Sequence, residues 1–229
     1  MAMIVSRRLA VLALFAAPAL GQDAPPPPPT AVDAPASLEP APNKPVSPKP
    51  ATTKVRLVTS AGPIVLELEK VRAPLTTANF LRYVDQKRLD GTTFYRALKF
   101  PAQTPTGLVQ GGVRGVAKRS LPAVAHEPTT RTGLSHDNGA ISMARGAVGS
   151  AQGDFFIILG NLSTLDANPA ATSDRKVDRD GYAVFGHVIE GLENVIKVLD
   201  APTSPTAGEG AMKGQMIEKP ITIIAAKRL

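Results

Sequence analysis

Proline is the residue most at odds with regular structure, and 11 of the 22 prolines in this chain crowd into residues 22–53, five of them in the run Pro25 to Pro29. Each proline fixes its own φ and lacks the N–H that a helix or a sheet ladder needs. The stretch also has few apolar side chains, so burial cannot offset the entropy of ordering it. It reads as an extended, disordered linker with polyproline II character. A solvated spacer is the plain account of it, and a partner-binding segment is the alternative. A folded domain must then be built from residues 54–229.

Ahead of the linker, Arg7 and Arg8 precede an apolar run from Leu9 to Leu20, and Ala19-Leu20-Gly21 offers a small-x-small cleavage site. This is the pattern of a secretory signal peptide over residues 1–21. The run falls short of the ~20 residues that a membrane helix needs. No stable membrane insertion is expected, and the mature chain is expected in the periplasm or secreted.

The pattern changes at Lys54. Val55, Leu57 and Thr59 alternate with polar neighbours, and Ile64, Leu66 and Leu68 alternate with Val65, Glu67 and Glu69. Period-two runs on either side of Ser60-Ala61-Gly62 predict a hairpin. Pro74 suits the first turn of a helix, which Phe80, Tyr83, Val84 and Lys87 continue at helical spacing. Short strands are expected at 93–98, 140–144, 155–159 and 183–189, with a closing strand at 221–225. Leu192, Val195, Ile196 and Leu199 make one apolar face of a second helix. Many short strands with two helices predict a mainly β fold, a closed or nearly closed barrel that leaves no exposed edge.

Composition removes several chemistries. The chain has no Cys, so disulfides, thiolate catalysis and Cys-based metal sites are all excluded. The net charge of +7 is not organised into basic runs interleaved with aromatics, which make up 4% of residues, so no nucleic-acid partner is expected. His126, His136 and His187 do not pair at ligand spacing, and no metal or cofactor is expected. Ser135-His136-Asp137 suggests a hydrolase, but neighbours on an extended chain point to opposite faces and no G-x-S-x-G elbow is present. The glycines at 111, 112 and 115 and at 146, 149 and 153 lack the G-K-[ST] ending of a phosphate loop, and close backbone turns are the expected use for them. Asp178-Arg179-Asp180-Gly181 fails as a calcium loop, since its first and twelfth positions would be Lys176 and His187.

Five segments occur in an order that resembles the cyclophilin family, the periplasmic bacterial members most of all. They are Gly91-Thr92-Thr93-Phe94-Tyr95-Arg96, Val109-Gln110-Gly111-Gly112, Gly139-Ala140-Ile141-Ser142-Met143-Ala144-Arg145, Asp154-Phe155-Phe156-Ile157 and Tyr182-Ala183-Val184-Phe185-Gly186. The likeness runs from Lys54 to the end. It implies an eight-stranded antiparallel closed β-barrel capped by two α-helices. It also implies peptidyl-prolyl cis-trans isomerase activity without metal or cofactor, on proline-containing polypeptides, by a monomer.

By resemblance Arg96 is the catalytic residue, donating to the prolyl nitrogen, and Gln110 hydrogen-bonds the substrate backbone. Phe156 and Leu165 hold the proline ring, Ala144 lines the groove, and Tyr182 stands where many members have His. Leu108, Arg145 and Asp154 complete the substrate-binding set. For each apolar residue, plain barrel core is the alternative; for Arg96, a surface ion pair. The stretch from Arg96 to Gln110 is longer than usual, with Gly107 in place of a pocket phenylalanine that Phe100 would have to supply. Asp154 replaces a glutamine, Thr164 replaces a tryptophan, and an insertion spans about 167–179. These departures keep open a proline-peptide-binding or chaperone module on the same fold with little catalysis.

Overall fold

The computed structural model describes residues 51–114, 116–171 and 179–229. The signal segment, the linker up to residue 50 and the centre of the 167–179 insertion lie outside the described residues. β1 (Thr52–Thr59) and β2 (Gly62–Glu69) form the predicted hairpin, with Val55 opposite Leu66 and Thr59 opposite Gly62. Thr52 and Thr53 already pair with Glu69 and Leu68, so the strand begins inside the stretch read as linker. Thr59 Oγ1 donates to the Gly62 carbonyl at 2.6 Å and tightens the turn.

The remaining elements are α1 (Pro74–Asp85), β3 (Thr92–Lys99), β4 (Gly107–Gly112), the one-turn α2 (Thr129–Thr132), β5 (Ala140–Met143) and β6 (Phe155–Leu159). After them come β7 (Ala183–Glu190), α3 (Leu192–Leu199), β8 (Thr203–Ser204) and β9 (Met216–Arg228). The strands run in the order β1-β2-β7-β5-β6-β4-β3-β9, and β9 returns to pair with β1. Every pairing is antiparallel. Eight strands thus close a barrel, and the two-residue β8 attaches to the Met216 end of β9. Closure is what alternating strands of this length favour, because it leaves no row of unpaired backbone groups.

Both longer helices cover the barrel, α3 on a face shifted from the expected one, with Leu192 and Ile196 half-buried and Val198 taken into the core. Phe80 of α1 meets Phe155 edge-on at 5.4 Å and Phe185 at 5.2 Å, in a core that also holds Phe94. α3 buries Val195, Val198 and Leu199. Lys87 does not continue α1 as its spacing predicts: its φ is +54°, a left-handed turn just past the last helical residue. Ala73 gives α1 no side-chain cap. The fully buried Glu127 serves instead, its carboxylate accepting from Thr76 N and Thr76 Oγ1, both at 2.7 Å, and from Leu75 N at 3.3 Å.

Two strands depart from expectation. Gly111 and Gly112 lie within β4 rather than in turns. A Cβ on Gly111 would sit 2.9 Å from the Phe94 ring and from the Thr93 carbonyl, so glycine is what lets β3 pack this closely. β9 is longer than the predicted 221–225 because Met216 and Ile217 pair with β3 and β8 before Pro220, where a proline would ordinarily end a strand.

Candidate active site

A bulge in β3 creates the centre of the site. Phe94 pairs with Gly111 and Arg96 pairs with Gln110, which leaves Tyr95 as an extra residue on one strand. Such a bulge re-aims side chains that strict alternation would send to opposite faces. Both Tyr95 and Arg96 consequently reach Gln110. Arg96 Nη1 donates to Gln110 Oε1 at 2.8 Å, and Gln110 Nε2 donates to the Tyr95 hydroxyl at 2.8 Å. Arg96 Nε donates to Gln215 Oε1 at 2.8 Å from the residue just before Met216, the partner of Arg96 on β9.

Arg96 is half-buried, and burial pulls its pKa below the ordinary value, opposed by Tyr95 and Tyr182. Among the described residues no carboxylate forms an ion pair with it, so the surface-bridge alternative is not what the geometry shows. Two neutral amide oxygens fix a guanidinium that carries five N–H donors and stays charged. Burial, reinforced by the charge of Asp154, pushes the Tyr95 phenol well above its usual pKa, so it remains a donor. Its hydroxyl lies 3.3 Å from Asp154 Oδ1, which also accepts from Arg114 N at 2.7 Å. Gln110, Arg114, Asp154, Glu209 and Met212 line a cleft of about 390 Å³ beside Arg96.

The row continues across the sheet. Gln110 pairs with Phe156, and Phe156 with Ser142. Direct cross-strand partners share a face, so Phe156 lies on the side of Gln110 while Phe155 turns to the core. Phe156 packs edge-on against Tyr182 at 5.4 Å and lies parallel to His136 at 5.9 Å. The Arg145 guanidinium sits 4.9 Å over the Tyr182 ring, and its Nε donates to the Gly181 carbonyl at 3.2 Å. Tyr182 N donates to the Leu165 carbonyl at 3.0 Å, and Ala144 N to the Asp154 carbonyl at 2.9 Å. Leu108, two residues before Gln110, is buried on the same strand opposite Leu98 and Ile158. The structure therefore places Arg96, Gln110 and Asp154 in one hydrogen-bonded group with Tyr95 and sets Phe156, Tyr182 and Arg145 against one another, with Leu165 and Ala144 tied in by backbone bonds and Leu108 on the same strand as Gln110.

Gly107 begins β4 at φ +155°, and a Cβ there would lie 2.1 Å from the Leu98 carbonyl oxygen, so no side chain fits. Phe100 does not fill in for it: the residue is 40% exposed, and the rings against Phe156 are His136 and Tyr182. Thr164 is exposed in the short turn before Leu165. Among the described residues no three His, Asp or Glu side chains converge as metal ligands. His136 ignores its sequence neighbours and bonds Asp166 and Ser142. Gln215 and this use of His136 escaped the sequence, Gln215 because 119 residues separate it from Arg96.

Residues 54–227 match the family model described as cyclophilin type peptidyl-prolyl cis-trans isomerase/CLD. The chain belongs to the cyclophilin-type peptidyl-prolyl cis-trans isomerase family. A peptidyl-prolyl cis-trans isomerase of Acinetobacter baylyi is 32% identical over 179 residues, 77% of this chain and 86% of that protein. Peptidyl-prolyl cis-trans isomerase A of Dickeya dadantii is 36% identical over 184 residues, 77% of this chain and 84% of its own. The crystal structure of a Cryptosporidium parvum cyclophilin-type isomerase shares the fold, with a TM-score of 0.57 at 21% identity over 78% of this chain and 98% of that one. A second structure of that isomerase, with a TM-score of 0.55 at 22% identity over 76% of this chain and 97% of that one, was determined in the presence of the dipeptide Ala-Pro. This cyclophilin-type chain therefore has the barrel and the isomerase activity that its five motifs imply.

Proposed function

We propose that this isomerase acts on X-Pro bonds of exported polypeptides, with Arg96 as the catalytic donor and Phe156, Leu165 and Tyr182 holding the proline ring. Amide resonance gives the peptide bond a barrier of ~18–20 kcal/mol, and X-Pro bonds isomerise unaided over tens to hundreds of seconds. As the bond twists, resonance is lost and a lone pair localises on the prolyl nitrogen. A donor aimed at that lone pair stabilises the twisted state more than either planar one.

The observation that carries this reading is the setting of Arg96. Its guanidinium is held at Nε and Nη1 by two amide oxygens and by no carboxylate among the described residues, so its charge is not neutralised by an ion pair. Gln110 has its amide beside both Arg96 and the groove, where it can grip the substrate backbone. The Ala-Pro dipeptide present with the Cryptosporidium parvum isomerase supports a short proline peptide as substrate. Residues 1–21 support export, with cleavage before Gln22, and intact-mass measurement of the envelope fraction tests it. A mature chain still starting at Met1 would remove the exported-substrate part of the reading.

For Arg96, a charge-assisted hydrogen bond is worth about 1.5–3 kcal/mol. Arg96→Ala is expected to lower turnover of an X-Pro peptide roughly ten- to a hundredfold, with a smaller change in KM. Arg96→Lys is expected to be poor as well, because a point charge lacks the planar fork. A folded Arg96→Ala variant with wild-type turnover would refute this role. Peptide binding by a wild type without turnover would point to the binding-module alternative.

A further inference from the structure

Behind Phe156 the structure holds a line of three side chains that the isomerase reading leaves unused. Asp166 Oδ1 lies 2.6 Å from His136 Nδ1, and His136 Nε2 lies 3.0 Å from Ser142 Oγ. A carboxylate only accepts, so Nδ1 carries the proton and Nε2 of the neutral ring accepts from the Ser142 hydroxyl. Asp166, His and Ser in this order have the connectivity of a hydrolytic triad. Ser142 and His136 are nevertheless both fully buried, and Phe156 is the direct cross-strand neighbour of Ser142. No substrate carbon can reach that Oγ, so nucleophilic chemistry is ruled out and a mechanical use remains.

Three observations show what the line holds. The His136 ring lies nearly parallel to Phe156, 11° between planes, and meets Tyr182 edge-on at 6.5 Å. His136 also fixes both ends of the segment that carries Leu165: its carbonyl accepts from Leu162 N at 2.9 Å, and its own N donates to Asp166 Oδ1 at 3.0 Å. Ser142 ends the row Arg96, Gln110, Phe156, Ser142. His136 thus reaches every element of the wall assigned to the proline ring, with its imidazole against Phe156, Tyr182, Asp166 and Ser142 and its backbone on the segment that carries Leu165.

We propose that His136, oriented by Asp166 and Ser142, is a positioning residue that sets the Phe156, Leu165 and Tyr182 wall for isomerisation. The inference rests on the proposed role of that wall. Burial holds the imidazole below its usual pKa, opposed by Asp166 and Asp137, which favours the neutral tautomer that this bonding needs. With the ring locked by two hydrogen bonds, Phe156 has one flat partner in one orientation. A substrate proline then meets a wall whose geometry is set in advance, which is where positioning contributes to rate.

The test uses the full chain, an Ala-Pro peptide substrate and two variants, one isosteric and one that keeps an aromatic ring of slightly larger size. Asp166→Asn removes the charge and lets Nδ1 become an acceptor, so the ring can adopt the other tautomer. Asp166 is partly exposed, which makes this the variant better placed to fold. His136→Phe keeps a stacked ring and loses both hydrogen bonds. Each is expected to lower kcat roughly two- to thirtyfold with a smaller effect on KM, at a melting temperature that leaves the assay sample folded. Phe156 and Tyr182 ring resonances are expected to shift in both variants. Wild-type kcat and KM in either folded variant would overturn the proposal, as would a loss that only tracks the unfolded fraction. If the wild type shows no turnover, the proposed function fails instead; unchanged Phe156 and Tyr182 resonances would then overturn the positioning claim, and shifted ones would support it.

Discussion

Replacing Glu127 by alanine is expected to destabilise the barrel without touching its chemistry. The carboxylate is fully buried and stands in for the cap that Ala73 cannot provide at the start of α1. Thr76 is fully buried too, so its N–H, now bonded at 2.7 Å, would be left without a partner. An orphaned buried donor costs about 1–3 kcal/mol, and loss of a helix cap about 1 kcal/mol, part of which is the same bond. The Leu75 N–H adds little, because its bond is long at 3.3 Å and its residue is 43% exposed, open to water. Arg131, 3.7 Å away on a largely exposed side chain, adds less than about 1 kcal/mol. The sum is about 2–4 kcal/mol. At about 2–4 °C per kcal/mol for a domain of this size, the melting temperature should fall by roughly 4–16 °C in calorimetry or circular dichroism. Turnover per folded molecule should be nearly unchanged, since the rings that Phe80 of α1 meets are Phe155 and Phe185 rather than Phe156. Arg131→Ala is the control and should shift melting far less. A Glu127→Ala melt within about 2 °C of wild type would refute the capping argument.

Gly107→Ala should destabilise the fold by about 1–3 kcal/mol of overpacking and lower the melting temperature accordingly, because the new methyl meets the Leu98 backbone; an unchanged melt would show that the strand can move there. Gln215→Ala should reduce turnover about two- to tenfold through one lost hydrogen bond, with KM less affected, and equal turnover would show that Gln110 alone orients Arg96. Acid should also weaken the fold through His136. Its folded pKa is lowered, chiefly by burial, against an unfolded value of about 6.5. The unfolded chain therefore takes up the proton first, and stability present above about pH 6.5 is lost as pH falls through the folded value. The ring faces Asp166, Ser142, Phe156 and Tyr182, with the charge of Asp137 acting from outside the contact and Arg145 beyond Tyr182, and urea midpoints from pH 7.5 to 5 should decline less steeply in His136→Phe.

What the sequence made legible follows from how local each signal is. β6 and α3 match their expected ends because a five-residue apolar run and an apolar helical face are each complete within their own segment. The strand Gly107–Gly112 was hidden because its three glycines erase the alternation that marks a strand, and their use depends on Phe94 and the Leu98 carbonyl across the ladder. The motif positions Arg96, Gln110 and Phe156 could be named, but not the bulge at Tyr95 that turns two consecutive side chains toward one glutamine. Bulges are counted between strands, so a single strand's pattern does not reveal them. Gln215 and the Asp166–His136–Ser142 line are likewise products of register. Each partner is an ordinary polar residue until the barrel closes.

That closure has a consequence in time. β1 lies between β2 and β9, and Ser60 bonds Thr222 from 162 residues away. A ribosome adds roughly 5–20 residues per second, so roughly 10–35 s pass between the synthesis of β1 and that of β9. During that interval the β1–β2 hairpin can form, but the seam on its other side has nothing to pair with. The barrel is therefore a structure that the growing chain cannot complete, and any segment drawn through a narrow passage before residues 216–228 are made travels with no closed barrel to unfold first.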